Sequence, residues 1–292
     1  MPKTSRPRSS FPARGGAPRR SGTPGRGPRR IVCLTEETTE TLYLLGEEER
    51  IVGISGYTVR PPEARRTKPR VSAFTHANLP KILALHPDLV LAFSDIQAEV
   101  VADLTRAGLE VHVFNQRDVA GILAMIRTLG ALVGARRRAE SLAAALAGRV
   151  RAAERRARSL RRRPRVYFEE WDEPMISGIG WVSELITAAG GEDCFADRAR
   201  GVTARERFVT TEEIRARDPE LILASWCGKK FRPEQLAARA GFADLTAVRR
   251  RALYEIPSSL ILQPGPAALT DGLDLVETLI RRAAAGATSG EA

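Results

Sequence analysis

Residues 82–94 read ILALHPDLVLAFS and residues 214–226 read IRARDPELILASW, with six of thirteen aligned positions identical. In each copy a short helical stretch meets a proline, Pro87 or Pro219, and a run of apolar residues follows. Proline stops a helix because it has no N–H to donate and its ring clashes with the preceding turn. A brief apolar run after such a stop predicts a strand buried on both faces, the kind found in parallel sheets. One helix, one stop and one buried strand thus occur in the same order twice.

The neighbours of each copy extend the pattern. Before the first lie a predicted strand at Ile31–Leu34, a helix over Glu36–Leu45 stopped by Gly46, and a strand at Arg50–Ile54. Leu79–Leu85 is predicted as helix and Leu89–Ala92 as strand; a helix over Gln97–Ala107 and a strand at Val111–Phe114 follow. Around the second copy the predicted strands are Val166–Phe168, Leu221–Ala224 and Leu253–Ile256. Helices are expected over Val182–Ala189, Thr211–Arg217, Pro233–Arg239 and Leu269–Ala285. Glu40 to Gly46 and Glu184 to Gly190 repeat a second spacing. Strands alternating this closely with helices imply sheets covered on both faces.

Between the halves, Val119 to Arg162 carries no strand signal, only two helices interrupted at Gly134. In the second, Ala139, Leu142, Leu146, Val150, Ala153, Ala157 and Leu160 recur at spacings of three and four, an apolar stripe with arginines around the rest. Its 28 residues predict a rod of roughly 42 Å, long enough to run along two lobes. The fold class is therefore α/β: two Rossmann-like lobes joined by a long helix. The expected divisions are a basic arm over 1–29, a first lobe over 30–117, a helical linker over 118–163, a second lobe over 164–285 and a flexible tail over 286–292. Ligands of such folds sit beyond the carboxyl ends of the strands.

The net charge of +11 over 292 residues is unevenly placed. Residues 1–30 hold nine basic side chains and no acidic one, and 136–163 holds eleven arginines against Glu140 and Glu154. The remainder is mildly acidic. The arm is rich in Pro, Gly, Ser and Arg, a composition that cannot bury a core; with Phe11 its only aromatic, any nucleic-acid binding by it is expected to be weak and salt-sensitive. It also lacks the apolar core of a secretory signal. With three widely spaced cysteines, Cys33, Cys194 and Cys227, the expectation is residence in the cytoplasm, or the periplasm or cell surface if the start is misassigned. No cysteine or histidine pair has metal-site spacing.

Several segments taken together resemble the iron-siderophore and vitamin B12 substrate-binding protein family, the helical-backbone or class III architecture. They are RIVCLTEETTETLYLLG (30–46), RIVGISGY (50–57), NLPKILALHPDLVLAF (78–93), AGGEDCFAD (189–197), EEIRARDPELILA (212–224) and LQPGPAALTDGL (262–273). The resemblance covers about residues 30–283 and implies two lobes holding a corrinoid, siderophore or haem between them. EEWDEP (169–174) and SWCGKK (225–230) bring it closest to the cobalamin-binding proteins that lack a signal peptide. Family members present an acid on each lobe to a transporter. The matching positions here are Pro80 and a site near Leu262, neither acidic, which disfavours an ABC permease as partner.

Candidate ligand-binding residues follow the strand ends. In the first half these are Thr35 and Glu36, where a helix N-terminus could hold an acceptor, then Tyr57, Phe74, His76 and Ser94. In the second they are Trp171, Trp181, Trp226, Cys227, Lys229 and Gln263. Trp171 and Trp226 are expected to face each other across a flat macrocycle, since aromatic surface suits it, although either could be core. Gly228 would let backbone approach a ligand. Cys227 reads more readily as a small residue than as a reactive thiol. His76 is the histidine placed to reach a bound cobalt or iron, yet a loop histidine is ordinarily solvated. The carboxylates of Glu169, Glu170, Asp172 and Glu173 could do acid–base work, though a polar cleft wall is the plainer reading. No catalytic residue and no covalent cofactor is expected. The favoured function is a cytosolic binding protein for cobalamin or another tetrapyrrole. The alternatives are an ABC importer's binding component for vitamin B12, haem or ferric siderophore, and an enzyme acting on a bound corrinoid.

Overall fold

The computed structural model describes residues 27–286. The expectations for the arm, its nucleic-acid binding and the tail lie outside these residues, except at Gly27–Arg29 and Gly286. Those first residues are held in place. The Arg29 and Arg30 N–H groups donate to Asp88 at 2.8 and 2.9 Å, and the Pro28 carbonyl accepts from Arg50 at 2.7 Å.

The first half comprises β1 (Ile31–Cys33), α1 (Glu36–Leu44), β2 (Ile51–Ser55), α2 (Pro62–Thr67), β3 (Arg70–Ser72), α3 (Leu79–Ala84), β4 (Leu89–Phe93), α4 (Ala98–Arg106) and β5 (Val111–Phe114). Its five strands form a sheet in the order β3-β2-β1-β4-β5, every pair parallel. Two helices follow, α5 (Val119–Leu132) and α6 (Arg136–Ala157). The second half holds β6 (Arg165–Asp172), β7 (Met175–Ser177), α7 (Gly180–Ala188), β8 (Glu192–Asp193), α8 (Thr211–Arg217), β9 (Leu221–Ala224), α9 (Pro233–Ala237), α10 (Thr246–Arg249), β10 (Leu253–Glu255), α11 (Ser258–Ile261) and α12 (Leu273–Ala284). Its sheet runs β10-β9-β6-β7, with β8 also pairing β6; only β7 is antiparallel.

The internal repeat reaches the backbone and the side chains. His86 and Asp218, aligned in the two copies, both adopt positive φ, 46° and 37°, just before their prolines. That left-handed turn is costly for a residue with a Cβ. It redirects the chain from helix into strand without the helix continuing. The aligned acids then do the same job: Asp88 accepts from the Arg30 N–H entering β1, and Glu220 from the Arg165 N–H entering β6 at 3.1 Å. β4 lies between β1 and β5, and β9 between β6 and β10. All of Leu89–Ala92 and Leu221–Ala224 is buried, as an apolar run in a covered parallel sheet must be.

The second echo proves to be a pair of latches. Glu40 on α1 accepts the Ala267 N–H at 3.0 Å, and Glu184 on α7 accepts the Val119 N–H at 2.7 Å. Each carboxylate ties its own helix to a segment of the chain outside its own half. The glycines that end these helices, Gly46 and Gly190, both take positive φ.

Two expectations about the middle change. The helix ends at Ala157, giving 22 residues and about 33 Å instead of about 42 Å. The arginines beyond it are spent as anchors: Arg162 reaches the Ala283 and Ala284 carbonyls and Glu220, and Arg163 the Thr187 carbonyl at 3.0 Å. Nor is the arginine surface of α6 uniformly solvated. Arg138 pairs with Glu47, Arg149 with Asp274 and Arg156 with Glu277, so one flank of the helix is fastened to both halves. Exposed pairs of this kind add little stability singly; the buried stripe of Ala139, Ala143, Leu146 and Ala153 sets which face of the helix turns inward. The expected closing helix from Leu269 likewise begins with a π turn at Ala268–Gly272 before α12.

Candidate functional site

The carboxyl ends of the two sheets meet along a seam between α1 and the segment Gln263–Ala268. Gly265 makes the approach possible: a Cβ there would lie 2.5 Å from the Glu37 Cβ. Gln116, just after β5, donates to the Pro264 carbonyl at 2.9 Å. Arg60, after β2, bridges Glu40 at 2.9 Å and Asp271 at 2.8 Å.

Thr35 and Glu36 lie on this seam, and both are buried. Thr35 does not cap its helix; its hydroxyl donates to Glu37 at 2.5 Å. Glu36 accepts the Val59 N–H at 3.1 Å. Burial pushes the Glu36 carboxyl up to about 8 and that of Glu37 up to about 7, each helped by a neighbouring acid of α1. The helix N-terminus therefore presents carboxyl groups poised near neutrality, not an anion hole. Tyr57 stands half out of the protein at 50% exposure on the same rim.

Across the seam stands Cys227, a residue exposed overall whose thiol is nevertheless raised by desolvation and then by Glu36 and Glu170. It is near enough to lobe one to feel Glu36. A thiol held above its ordinary range stays protonated at neutral pH, which suits a small cleft-facing residue better than a nucleophile. Gly228 beside it takes φ +75° with open space around it.

The tryptophans separate. Trp171, near the end of β6, is half-buried and donates to the Glu173 carbonyl at 2.9 Å. Trp226 is only 3% exposed and packs edge-on against Phe231 inside lobe two. Its indole N–H donates to Glu169 at 3.0 Å, and Glu169 is bound by two Arg239 nitrogens and by the Tyr167 hydroxyl. The expected pair facing each other across a ligand is therefore corrected: both rings sit at the ends of adjacent strands of one sheet, and Trp226 is consumed in sheltering a buried ion pair. Trp181 is corrected as well. It is buried on α7, and its N–H holds the Ile261 carbonyl at 2.8 Å, supporting the seam segment from behind. Lys229 is paired with Asp172 and lies 5.1 Å from the Trp226 ring centroid and 5.9 Å from that of Trp171. The acidic group around Trp171 is likewise partnered, Glu170 by Arg207 and Glu169 by Arg239. That removes the free carboxylate pair that acid–base chemistry would use.

On lobe one, the Phe74 carbonyl accepts from Gln97 at 2.9 Å, fixing the loop that carries His76. His76 is exposed and its Nδ1 lies 2.8 Å from the Thr75 hydroxyl. Among the described residues no three His, Cys, Asp or Glu side chains are grouped to hold a metal ion. Ser94 is buried with φ 55° at the end of β4, beside a concavity of about 380 Å³. Gln263 is half-buried and its carbonyl accepts the Gly265 N–H at 2.7 Å.

Of the buried polar atoms without a hydrogen-bond partner among the described residues, four stand just beyond strand ends: Glu37 Oε2, Thr58 Oγ1, Gln116 Oε1 and Ser225 Oγ. Each lies within four residues of its strand, at β1, β2, β5 and β9 respectively. Such atoms are costly to bury without a partner. Sequence reading missed Thr58, Gln116 and Ser225, because nothing in an isolated strand says which polar neighbour the rest of the fold will cover.

Comparison with known proteins decides the family. Residues 31–260 match the model of the periplasmic binding protein family. The chain belongs to that family. Among its relatives, the vitamin B12-binding protein of Salmonella typhimurium is 31% identical over 212 residues, covering 70% of this chain and 76% of the relative. An uncharacterized ABC transporter substrate-binding lipoprotein of Bacillus subtilis is 23% identical over 86% of this chain and 80% of its own. In structure, the periplasmic haem-binding protein RhuT from Roseiflexus sp. RS-1 superposes with a TM-score of 0.76 at 25% identity, covering 88% of this chain and 100% of that one. As a member of that family the chain is a two-lobed substrate-binding protein and not an enzyme, which sets aside the corrinoid-modifying alternative. The expectation of cytoplasmic residence is overturned, since similar proteins are named as a lipoprotein and, several times, as periplasmic proteins. Among the described residues no helix is long and apolar enough to cross a membrane.

Proposed function

We propose that this periplasmic binding protein captures a corrinoid, cobalamin above other tetrapyrroles, between its lobes and presents it to an ABC importer. The observation that carries the reading is the set of unpartnered buried polar atoms at four strand ends, three in the first half and one in the second, with Glu37 and Gln116 on the seam itself. Carboxyl groups held near 7 and 8 beside a protonated thiol leave this part of the seam low in net charge, with Arg60 matched by Glu40 and Asp271. A ligand rimmed with neutral amides meets such a surface better than one rimmed with carboxylates, because the burial that resists ionisation of Glu36 and Glu37 resists a ligand's carboxylates as well. The relatives named for vitamin B12 support the same ligand. An importer partner, disfavoured from Pro80 and Leu262, is restored by the family and by the lipoprotein relative.

Of the residues read from sequence, Thr35, Glu36, Tyr57, Trp171, Cys227 and Gln263 are proposed to line the ligand. Phe74, His76 and Ser94 are proposed for the lobe-one rim. Trp171 is the aromatic contact. Trp171→Ala is expected to weaken cobalamin binding about ten- to a hundredfold, the scale of losing a large aromatic surface, with the melting temperature little changed. Calorimetric titration of cobalamin, haem and a ferric siderophore into both proteins checks it. Tight haem binding with no response to cobalamin would reverse the ligand preference, and silence toward all three would remove the ligand class.

A further inference from the structure

Besides Arg136 at its start, the arginines of α6 and its C-cap Arg158 fall into two sets that the fold treats differently. Arg138, Arg149 and Arg156 lie along one flank and are each matched by an acid of a neighbouring element. Arg137, Arg151, Arg155 and Arg158 are also exposed, and no hydrogen bond or ion pair joins their side chains to another described residue. At 3.6 residues per turn these four fall within an arc of about 60°, opposite the buried stripe of Ala139, Leu146 and Ala153. Ala144 within the arc and Gly148 at its edge leave it low and open between its two charged ends. Glu140 also lies there, but Arg127 holds it through two hydrogen bonds of 2.7 and 3.0 Å. Glu154 stands outside the opposite edge.

This arrangement works against the helix. Arg151 and Arg155 are four residues apart, and Arg155 and Arg158 three, the spacings at which like charges repel on a helix surface; Glu154, three residues from Arg151 and four from Arg158, offsets part of this. The paired flank demonstrates that the neighbouring elements supply acids where a charge is to be neutralised internally. On the outward arc none is supplied to these four. The second source of positive charge enters at the same place: Gly27 abuts the Leu132 carbonyl, and Arg50 spans the Pro28 carbonyl at 2.7 Å and the Val133 carbonyl at 3.3 Å. The segment with nine basic residues in positions 1–30 therefore joins the described protein beside the turn that starts α6.

We propose that this outward face of α6 is a docking surface for an anionic phospholipid membrane. A membrane presents a broad, delocalised negative surface, and each basic side chain brought to it adds attraction without needing a specific partner. The face offers point charges on a straight rod, with no aromatic, Asn or Gln anywhere in α6 to stack on bases or read their edges. That favours lipid over nucleic acid. The surface is independent of the ligand seam, so it stands or falls apart from the proposed function.

The full-length protein is sedimented with phosphatidylcholine vesicles, with and without phosphatidylglycerol, alongside the combined variant R137S/R151S/R155S/R158S. Wild type is expected to bind only the anionic vesicles, to release as salt rises, and to lose about a thousandfold in affinity in the variant, at about 1 kcal/mol for each arginine removed. Removing mutual repulsion should leave the variant's melting temperature unchanged or slightly higher and its cobalamin titration unaltered. Three results would overturn the proposal. They are indifference of wild type to charged vesicles, equal binding by the variant, and stronger α6-dependent binding to duplex DNA than to vesicles at the same salt.

Discussion

Trp226→Ala is expected to lower the unfolding free energy by about 3–5 kcal/mol, the cost of emptying a large aromatic site in a packed core. For a protein of this size the melting temperature should fall on the order of 10 °C. The ring fills lobe two between Phe231 and the Glu169–Arg239 pair, and its N–H is one of the four donors that Glu169 accepts. Arg239→Ala should cost a similar amount for a different reason. It leaves a carboxylate with 0% exposure short of its counter-ion, and breaking one side of a buried pair is typically worth about 3–5 kcal/mol. Urea unfolding of both variants is the measurement. If Trp226→Ala unfolds like wild type yet loses ligand affinity, the ring belongs to the ligand and not to the core.

The second large effect is a loss of stability toward alkaline pH. Glu36 and Glu37 have ordinary values of 4.5 and stand at about 8 and about 7 in the folded protein, burial being the main cause in both. A group whose folded value is raised binds its proton more tightly when folded. Its contribution is therefore complete below pH 4.5 and disappears as pH rises through 7 and 8. A tenfold difference in proton affinity is worth about 1.4 kcal/mol, so the two carboxyls together should remove on the order of 5 kcal/mol between about pH 5 and pH 8. The groups facing them are Glu40, Arg65, the Thr35 hydroxyl and, across the seam, Cys227. The double variant E36Q/E37Q should match wild type near pH 5 and exceed it near pH 8. Denaturation curves that stay parallel across this range would show that neither carboxyl is held protonated.

The proposed ligand rim is partly legible in the sequence. Periodicity alone locates the strand ends, and Thr35, Glu36, Tyr57 and Cys227 stand out as the residues that follow them. The two tryptophans that moved inward occupy positions just as close to strand ends and helix starts. Residue type could not separate them, because an indole suits a cleft wall and a core equally well. What placed Trp226 inside was Glu169, a charge 57 positions earlier that needed shelter and a donor. What placed Trp181 inside was the Ile261 carbonyl, 80 positions later, which its N–H satisfies.

By itself the sequence determined the repeat, the parallel order of helix and strand, and the split into two lobes with helices between them. These follow from local rules: a proline ends a helix wherever it stands, and an apolar run must be covered on both faces. Only the tertiary structure decided which polar groups would be stranded along the seam, which arginines of α6 would find acids, and where the long helix would stop. Those outcomes depend on what another segment brings within hydrogen-bonding reach, and burial and pairing energies at a few ångströms are not written in sequence spacing. Gln116 meeting Pro264 across 148 positions is such a case. Both residues look like ordinary loop positions until the lobes close on each other.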